Sequence, residues 1–337
     1  MMSGLVKVAG CGLSMNRKEK RMEHHELDRR GFLKTAALTT ASAVLGPWAQ
    51  AAELYGKMPM RVLGRTGLKV SSIGVGGYHA SLPKEEGESI ALMHRAIDLG
   101  VNFFDNADCY HKGMAEERMG KALEGRRKKV ILMTKVDQRD AAGSLKTLET
   151  SLRRLRTDYL DLWQFHQVMN QQELDQILGP GGALETAEKA RKDGKIRFIG
   201  LTGHADPQVH LAALKRFPFD TIQMPINVLD PHFQSFRKTV VDEAVDRNTG
   251  VIAMKTLSSG NILRFKVATV AEALRWVWSQ PVGVLVSGCE SVEQINYNVY
   301  LAKTFTPMPE AEQVALLART EPHKGTQIES YKRSPAS

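Results

Sequence analysis

Four titratable side chains lie at the ends of three successive apolar segments of the chain. The segment "FFDNADCY" contains Asp105 and, five residues later, Tyr110, while "LMTK" ends at Lys135 and "LWQFH" ends at His166. Tyrosine has an ordinary pKa of about 10, and a neighbouring ammonium group lowers that pKa by favouring the phenolate. Asp105 can pair with Lys135 and fix its position, and His166 can orient a carbonyl group or share in proton transfer. This set suits protonation of an alkoxide while hydride arrives from a nicotinamide.

Each member of this tetrad has an ordinary structural explanation when it is considered alone: a capping aspartate, a surface tyrosine, a snorkelling lysine or a core histidine. The set is more informative, because complementary groups occur at three adjacent segment ends. A second possibility is a metal-dependent hydrolase, since a cluster of histidines and carboxylates can bind zinc and activate water. The residues for such a site are His79, His111, His166, His204, Asp105 and Asp108. The chain has no H-x-H or H-E-x-x-H pair, so we expect no metal.

Eight short apolar segments, each followed by an amphipathic stretch, organise the chain from residue 70 onward. They begin at residues 70, 101, 129, 159, 196, 220, 250 and 282. Near-continuous apolar runs that alternate with helical patterns indicate parallel strands joined by crossover helices. Eight such units in about 250 residues is the size of a (β/α)8 TIM barrel. A doubly wound α/β sheet is the alternative, but it does not need to close at eight strands.

The segments flanking the eight repeats complete the expected domain organisation. The stretch "MRVLGRTGLKV" predicts a β-hairpin that turns at Thr66 and Gly67 and closes the barrel floor. We expect the barrel to occupy residues 58–303. Residues 304–337 are expected to form one helix, "PEAEQVALLART", and then a flexible tail.

The first 51 residues have the features of an export leader. Arg29 and Arg30 are followed by "GFLK", by an apolar run over residues 36–48 and by a small-residue "AQA" exit. This order is typical of a cleaved twin-arginine signal peptide, and the run is shorter than the about 20 residues of a membrane-spanning helix. A disordered basic tail and an uncleaved anchor are the alternatives. We expect the twin-arginine export machinery as a partner, a periplasmic or otherwise exported location, and no stable membrane anchor after cleavage.

Composition excludes several other classes of protein. The formal net charge is +9, and no run of Lys and Arg with interleaved aromatic residues suggests a nucleic-acid partner. Beyond the leader the chain has two cysteines, Cys109 and Cys289, and no C-x-x-C motif. The spacing of these cysteines predicts neither a disulfide framework nor a zinc or iron–sulfur site.

The motifs resemble those of the aldo-keto reductases over roughly residues 60–303. The stretches that carry the resemblance are "FFDNADCY", "TK", "DLWQFH" and the opening "MRVLGRTGLKVSSIGVGG". The resemblance implies a (β/α)8 barrel that reduces an aldehyde or ketone to an alcohol with NAD(P)H. It assigns Asp105, Tyr110, Lys135 and His166 to the catalytic tetrad, with Tyr110 as the general acid.

The resemblance also assigns a cofactor-binding set, in which several positions depart from the family pattern. The set is Gly76, Gly77, Thr202, Gly203, His204, Gln223, Met254, Lys255, Leu257, Ser258, Gly288, Cys289, Gln294 and Asn298. Family members usually have Ser-Asn where this chain has Thr202-Gly203-His204, and many have a stacking tyrosine at Met254. The Lys-Ser pair and the Arg that grip a 2′-phosphate are missing near Gly288 and Gln294. NADPH is therefore the family expectation, and NADH is an open alternative.

The substrate pocket is expected to be open and to accept a small or medium carbonyl compound, either an aldehyde or a sugar-like molecule. Its wall is expected to contain Tyr78, His79, His111 and the loop from Gln167 to Gly182. A nucleotide-binding sensor without catalysis is an alternative on the same fold, because fold does not fix function. The sequence makes no prediction of oligomeric state.

Overall fold

A computed structural model describes residues 56–332 of the protein. The expected leader, with its arginine pair, lies outside the described residues. No helix in residues 56–332 is both long enough and apolar enough to cross a bilayer.

Eight parallel strands close into a barrel, as the repeat predicts. The strands are β3 (Ile73–Gly76), β4 (Phe103–Asp105), β5 (Ile131–Val136), β6 (Leu160–Phe165), β7 (Ile196–Thr202), β8 (Thr221–Pro225), β9 (Gly250–Met254) and β10 (Val284–Ser287). They follow one another in order, and β10 pairs with β3 to complete the ring. The apolar runs form strands because both faces of each strand are covered, one by the barrel interior and one by helices.

Helices lie between successive strands of the barrel and after the last one. In chain order they are α1 (Gly77–Ala80), α2 (Glu86–Asp98), α3 (Met114–Ala122), α4 (Ala141–Leu155), α5 (Gln171–Leu178), α6 (Ala183–Lys192), α7 (Pro207–Arg216), α8 (Asp242–Asp246), α9 (Asn261–Arg264), α10 (Val270–Trp278), α11 (Val292–Lys303) and α12 (Glu310–Thr320). A π-helical turn, Arg237–Val241, leads into α8. Capping side chains fix the starts of several of these helices, as at α10, where Thr269 and Glu272 form a capping box.

The predicted hairpin closes the barrel floor. Strands β1 (Met60–Val62) and β2 (Lys69–Ser71) pair antiparallel around a turn that ends at Gly67. Leu63 is fully buried between them and the barrel. A Cβ atom added at Gly250 or Gly283 would lie 2.7 Å from Leu63 side-chain atoms, so these two positions must lack side chains. The first apolar segment, which begins at residue 70, therefore contributes its first residues to β2 of the hairpin and its later residues to β3.

The expectation of a flexible tail is wrong for residues 325–332, hereafter the tail segment. Glu329 and Lys332 are fully buried, and Ser330–Lys332 form a 3-10 turn. The Lys332 Nζ atom lies 2.8 Å from Asp230 Oδ1 and 3.1 Å from Glu329 Oε1. Polar composition suggested solvent exposure, but these charged groups find partners inside the protein, which is how a buried charge is tolerated.

Candidate active site

The structure brings Asp105, Lys135 and Tyr110 into one hydrogen-bonded chain at the carboxyl ends of β4 and β5. The Lys135 Nζ atom lies 2.5 Å from Asp105 Oδ1, 2.7 Å from the Asn106 carbonyl oxygen and 3.2 Å from the Tyr110 hydroxyl. Lys135 is 1% exposed and Asp105 is 2% exposed. The neighbouring parallel strands β4 and β5 end on the same side of the barrel, which explains why residues 30 positions apart meet.

The protonation states of these three hydrogen-bonded residues follow from their burial and from the neighbouring charges. Burial on its own lowers the pKa of Lys135, but the Asp105 carboxylate and the Tyr110 hydroxyl outweigh it and hold that pKa above its usual value. Burial raises the pKa of Tyr110 to about 12, although Lys135 acts in the opposite direction. Lys135 therefore acts on the pKa of Tyr110 in the predicted direction, but desolvation of the phenolate exceeds the attraction of the ammonium. At neutral pH Lys135 is charged and Tyr110 carries its proton.

His166 follows β6 and lies against the ring of Tyr110. The two ring centroids are 5.7 Å apart in an edge-to-face arrangement. The His166 Nδ1 atom is 2.9 Å from Asp137 Oδ1, and burial lowers the pKa of the imidazole. Burial raises the pKa of Asp137, but the contact with His166 and a hydrogen bond with the Cys109 thiol outweigh it and lower that pKa, so the ionised carboxylate accepts a hydrogen bond from His166 Nδ1–H. A neutral His166 ring then has Nε2 as an acceptor.

Asp137 is not among the residues predicted for the site, although the sequence carries a signal for it. Side chains two residues apart on a strand point to the same face. Asp137 lies two residues after Lys135, immediately beyond the end of β5. The pattern "TKVD" therefore predicts a second charged group on the face that carries the tetrad lysine.

Gln223 offers a binding group for a carboxamide. Its Nε2 atom donates to Asp105 Oδ2 at 2.6 Å. Its Oε1 atom is buried and has no hydrogen-bond partner among residues 56–332. Buried acceptors are normally satisfied, so this one fits the amide N–H₂ of a nicotinamide. Thr202 ends the neighbouring strand β7 and is 1% exposed.

The residues predicted after β10 make contacts with one another. The Asn298 Nδ2 atom lies 3.3 Å from Cys289 Sγ, and the Glu290 backbone N–H donates to Gln294 Oε1 at 2.7 Å. Glu290 also contacts His79 Nδ1 at 2.9 Å. A Cβ atom at Gly288 would lie 2.4 Å from the His79 ring, so the glycine makes room for this histidine. The end of β10 thus presents the Glu290 carboxylate, and the predicted residues Gly288, Cys289 and Gln294 supply no cation there.

The tail segment lies on the loops after β7, β8 and β9. The Ser258 hydroxyl donates to the Ile328 carbonyl at 2.8 Å. The Tyr331 carbonyl lies 3.2 Å from His204 Nδ1, and the Lys255 Nζ atom is 5.8 Å from the Tyr331 ring centroid. Burial and the charge of Lys255 lower the pKa of His204 to about 4, so His204 is neutral and donates. Three residues predicted to bind cofactor therefore contact the tail segment.

Two of the predicted wall residues flank Tyr110. The rings of Tyr78 and His111 stack at 4.5 Å, and Tyr78 meets the Tyr110 ring edge-to-face at 5.4 Å. The predicted loop from Gln167 to Gly182 contains helix α5. Its first residue has a φ of +50°, which turns the chain directly after His166.

The histidines of the alternative hydrolase have separate partners. His79 contacts Glu290, His111 contacts the Tyr78 carbonyl and His204 contacts the Tyr331 carbonyl. They do not form the cluster that a His-rich zinc site requires.

A sequence profile described as "Aldo/keto reductase family" matches residues 72–271. The chain belongs to the aldo/keto reductase family. This reductase is an oxidoreductase with the closed eight-stranded barrel of that family. The match spans β3 to β9 and all four tetrad residues.

Several known proteins are similar to the reductase. It is 26% identical over 307 residues to the "Uncharacterized oxidoreductase YqkF" of Bacillus subtilis, covering 78% of this chain and 97% of that protein. It is 31% identical over 219 residues to the L-galactose dehydrogenase of Arabidopsis thaliana, covering 60% and 67%.

Solved structures show the same fold. The aldo-keto reductase AKR11C1 of Bacillus halodurans in its holo form superposes with a TM-score of 0.69 at 26% identity, covering 81% of this chain and 99% of that one. An aldo-keto reductase of Klebsiella pneumoniae in complex with NADPH gives a TM-score of 0.67 at 23% identity, covering 84% and 100%.

Proposed function

We propose that the protein reduces the carbonyl group of an aldehyde or ketone to an alcohol with NAD(P)H. The observation that carries this proposal is the buried chain from Asp105 through Lys135 to the Tyr110 hydroxyl, beside an unpartnered acceptor on Gln223. At neutral pH Tyr110 carries its proton, whereas the Lys135 ammonium is already bonded to Asp105, the Asn106 carbonyl and Tyr110, so Tyr110 is the proposed proton donor to the substrate oxygen.

Each residue has a defined part in this reaction. A bound reduced nicotinamide supplies hydride to the carbonyl carbon. Tyr110 donates its proton to the carbonyl oxygen, and the Lys135 ammonium, 3.2 Å away, stabilises the phenolate that remains. Asp105 holds Lys135 in place, and solvent returns the proton to Tyr110. Gln223 Oε1 and the Thr202 hydroxyl would hold the carboxamide of a bound nicotinamide.

The proposed nucleotide is NADPH, with NADH as the alternative. The family fold and a neighbour solved with NADPH support the phosphorylated form. Glu290 and Gln294 favour the alternative, because a 2′-phosphate placed near a carboxylate and without cations is repelled. The substrate is proposed to be a small carbonyl compound, and the similarity to an L-galactose dehydrogenase favours a sugar-like one.

Export through the twin-arginine machinery to the periplasm is proposed on the sequence alone. Replacement of Arg29 and Arg30 by Lys is expected to retain the protein inside the cell, and cell fractionation measures this. Unchanged export of the variant would contradict the proposal. A folded enzyme loaded with nucleotide before export would explain the choice of this route, so co-purification of nucleotide with exported protein is a second check.

The matched variants Tyr110→Phe and Tyr78→Phe test the reaction. Each removes one hydroxyl from neighbouring tyrosine rings. Tyr110→Phe is expected to lose about 10²–10⁴-fold in kcat for a panel of aldehydes and sugars, while NADPH binding followed by fluorescence persists. Tyr78→Phe keeps kcat within a few-fold. Tight nucleotide binding by wild-type protein with no turnover of any carbonyl compound would favour the sensor instead.

A further inference from the structure

The floor of the barrel, the side at which the strands begin, carries an excess of positive charge. It consists of the hairpin region and the seven connections that lead from a helix into the next strand. These segments contain eleven Lys and Arg residues and four Asp and Glu residues, a net charge of +7. They are residues 56–72, 99–102, 123–130, 156–159, 193–195, 217–220, 247–249 and 279–283.

The opposite side of the barrel, where the strands end and the tetrad lies, has no such excess. The eight segments that follow the strands contain eight Lys and Arg residues and seven Asp and Glu residues, a net charge of +1. They are residues 77–85, 106–113, 137–140, 166–170, 203–206, 226–241, 255–269 and 288–291. Positive charge is therefore concentrated on one face, which attracts anionic surfaces and repels a second copy of itself.

Several cations of the floor have no carboxylate partner. In the part of the chain that the structure describes, this holds for Lys57, Arg65, Lys69, Lys128 and Lys129, and all five residues are exposed. Cations often lie at the carboxyl ends of helices, where the helix dipole favours them. These five lie outside the α-helices, in the hairpin region and in the turn before β5. Their charges are available to an external partner.

A shallow cavity lies where the turn of the hairpin meets the ends of α7 and α8. Its volume is about 160 Å³, and its lining contains Arg65, Lys215, Arg216 and Arg247 but no Asp or Glu. Two of these cations have a carboxylate partner, whereas Arg65 and Lys215 pair with none in residues 56–332. A concave surface lined by charges of one sign concentrates ions of the other sign. The cavity therefore suits an anionic group such as a phosphate.

Two apolar side chains project from the hairpin into solvent. Met60 is 46% exposed and Val62 is 60% exposed. Val62 lies opposite Lys69 on the neighbouring strand, so apolar and cationic side chains share the outer face of the hairpin. Protein surfaces that bind a bilayer interface combine apolar side chains, which enter among the headgroups, with Lys and Arg, which attract anionic lipids. The hairpin has this combination.

We propose that the floor binds the surface of a bilayer that contains anionic phospholipids. Met60 and Val62 enter the headgroup layer, and the surrounding cations contact lipid phosphates. The contact depends on surface charge and two side chains, so it is peripheral and salt reverses it. Because the tetrad lies at the other end of the strands, the catalytic side then faces the solvent.

The course of the chain favours a bilayer over an acidic protein as the partner. Strand β1 begins at Met60, only a few residues after the described chain starts. The expected leader, with its apolar run over residues 36–48, is therefore joined to the domain through the hairpin at the floor. A leader that engages a membrane for export would bring this face toward the lipid.

Sedimentation with lipid vesicles tests the proposal on the full chain. The vesicles contain phosphatidylcholine with or without about one third phosphatidylglycerol, in about 0.1 M NaCl, where the Debye length is about 10 Å. Two triple variants remove equal charge from opposite faces. The floor variant is Lys69→Gln, Lys128→Gln and Lys215→Gln, and the control variant is Lys84→Gln, Arg264→Gln and Lys266→Gln.

The two variants are expected to differ strongly. One cation near an anionic bilayer contributes about fivefold to partitioning, so the floor variant should bind about 10–100-fold more weakly than wild type. The control cations lie beyond the far end of strands such as β5, whose six residues span about 20 Å. That distance is about two Debye lengths, so the control variant should stay within about threefold of wild type.

A second pair of variants tests the apolar contribution. Met60→Ser with Val62→Ser is expected to weaken partitioning by about tenfold. Leu263→Ser with Phe265→Ser is the matched control, because these side chains are 39% and 46% exposed on the catalytic side. Circular dichroism melting checks that every variant is folded. The leader is identical in all of these proteins, so differences between them report the floor.

The outcomes decide between lipid and other partners. Equal partitioning to vesicles with and without phosphatidylglycerol, or equal losses in the floor and control variants, would overturn the proposal. Binding of wild type, but not of the floor variant, to polyglutamate without binding to vesicles would also overturn it and indicate an acidic protein instead. None of these measurements involves carbonyl reduction, so their failure leaves the proposed function untouched.

Discussion

Replacement of Lys135 by Met removes a buried ammonium group but keeps a side chain of similar length. Three contacts are lost at once: to Asp105, to the Asn106 carbonyl and to the Tyr110 hydroxyl. Asp105 is then left 2% exposed with Gln223 as its remaining side-chain donor, at 2.6 Å. The variant therefore disturbs stability through Asp105 and catalysis through Tyr110, and the two effects can be separated.

The magnitudes follow from the geometry. Loss of one partner from a buried ion pair lowers the free energy of unfolding by about 3–5 kcal/mol, because the other charge stays buried. The double variant Lys135→Met with Asp105→Asn has no such charge, so its loss is expected to be about 1–2 kcal/mol. At 3.2 Å an ammonium stabilises a phenolate by at most about 5 kcal/mol at an effective dielectric of 20. Both variants are accordingly expected to lose about 10²–10⁴-fold in kcat.

Urea unfolding followed by circular dichroism measures the first effect, and steady-state carbonyl reduction measures the second. NADPH binding by fluorescence serves as the control for an intact cofactor site. Recovery of stability in the double variant without recovery of kcat is the expected pattern. If kcat recovers together with stability, Lys135 serves only to balance the charge of Asp105, and the proposed electrostatic role is wrong.

Three further predictions concern other parts of the molecule. Lys332→Met leaves Asp230 and Glu329 as buried carboxylates, so the tail segment should lose its protection in hydrogen exchange and the free energy of unfolding should fall by about 3–5 kcal/mol; continued protection would contradict this. Burial lowers the pKa of His210 to about 4. The unfolded chain therefore binds the extra proton between about pH 6.5 and 4, and acidification through this window should reduce stability by about 3 kcal/mol. In urea unfolding at pH 7 and pH 4.5, His210→Gln should show a smaller loss, and an equal loss in both proteins would refute the assignment. Gln294→Arg supplies a cation near the proposed 2′-phosphate position and should tighten NADPH relative to NADH by about 10–100-fold; an unchanged ratio of dissociation constants would place the phosphate elsewhere.

The sequence predicts the barrel well because the signal is repeated and local. Each apolar run indicates a strand that is buried on both faces. Eight such runs at similar spacing are compatible with few closed folds other than the eight-stranded barrel. The hairpin is equally legible, since Gly67 has the positive φ that its turn requires. The proximity of the four tetrad residues could be predicted because residues at the ends of adjacent parallel strands must meet on one side of the barrel.

The remaining features depend on distant partners or on competing energies. Lys332 is buried because it reaches Asp230, a residue 102 positions earlier, and nothing next to Lys332 in the sequence signals that contact. The direction of the Tyr110 pKa shift depends on whether burial or the charge of Lys135 is larger, which residue types alone do not decide. Asp137 could be predicted from strand periodicity, because it lies two residues after Lys135 and just beyond the end of β5.

The closed ring of strands also constrains how the chain reaches its native state. The pairing that completes the ring joins Ile73 of β3 to Leu285 of β10, from opposite ends of the domain. Until β10 is in place, β3 and β9 are the two open edges of a curved apolar sheet, with unpaired backbone groups that invite association with other chains. Contacts between such distant segments form slowly. A chain truncated before Val284 would therefore have aggregation, rather than a smaller stable barrel, as its expected fate.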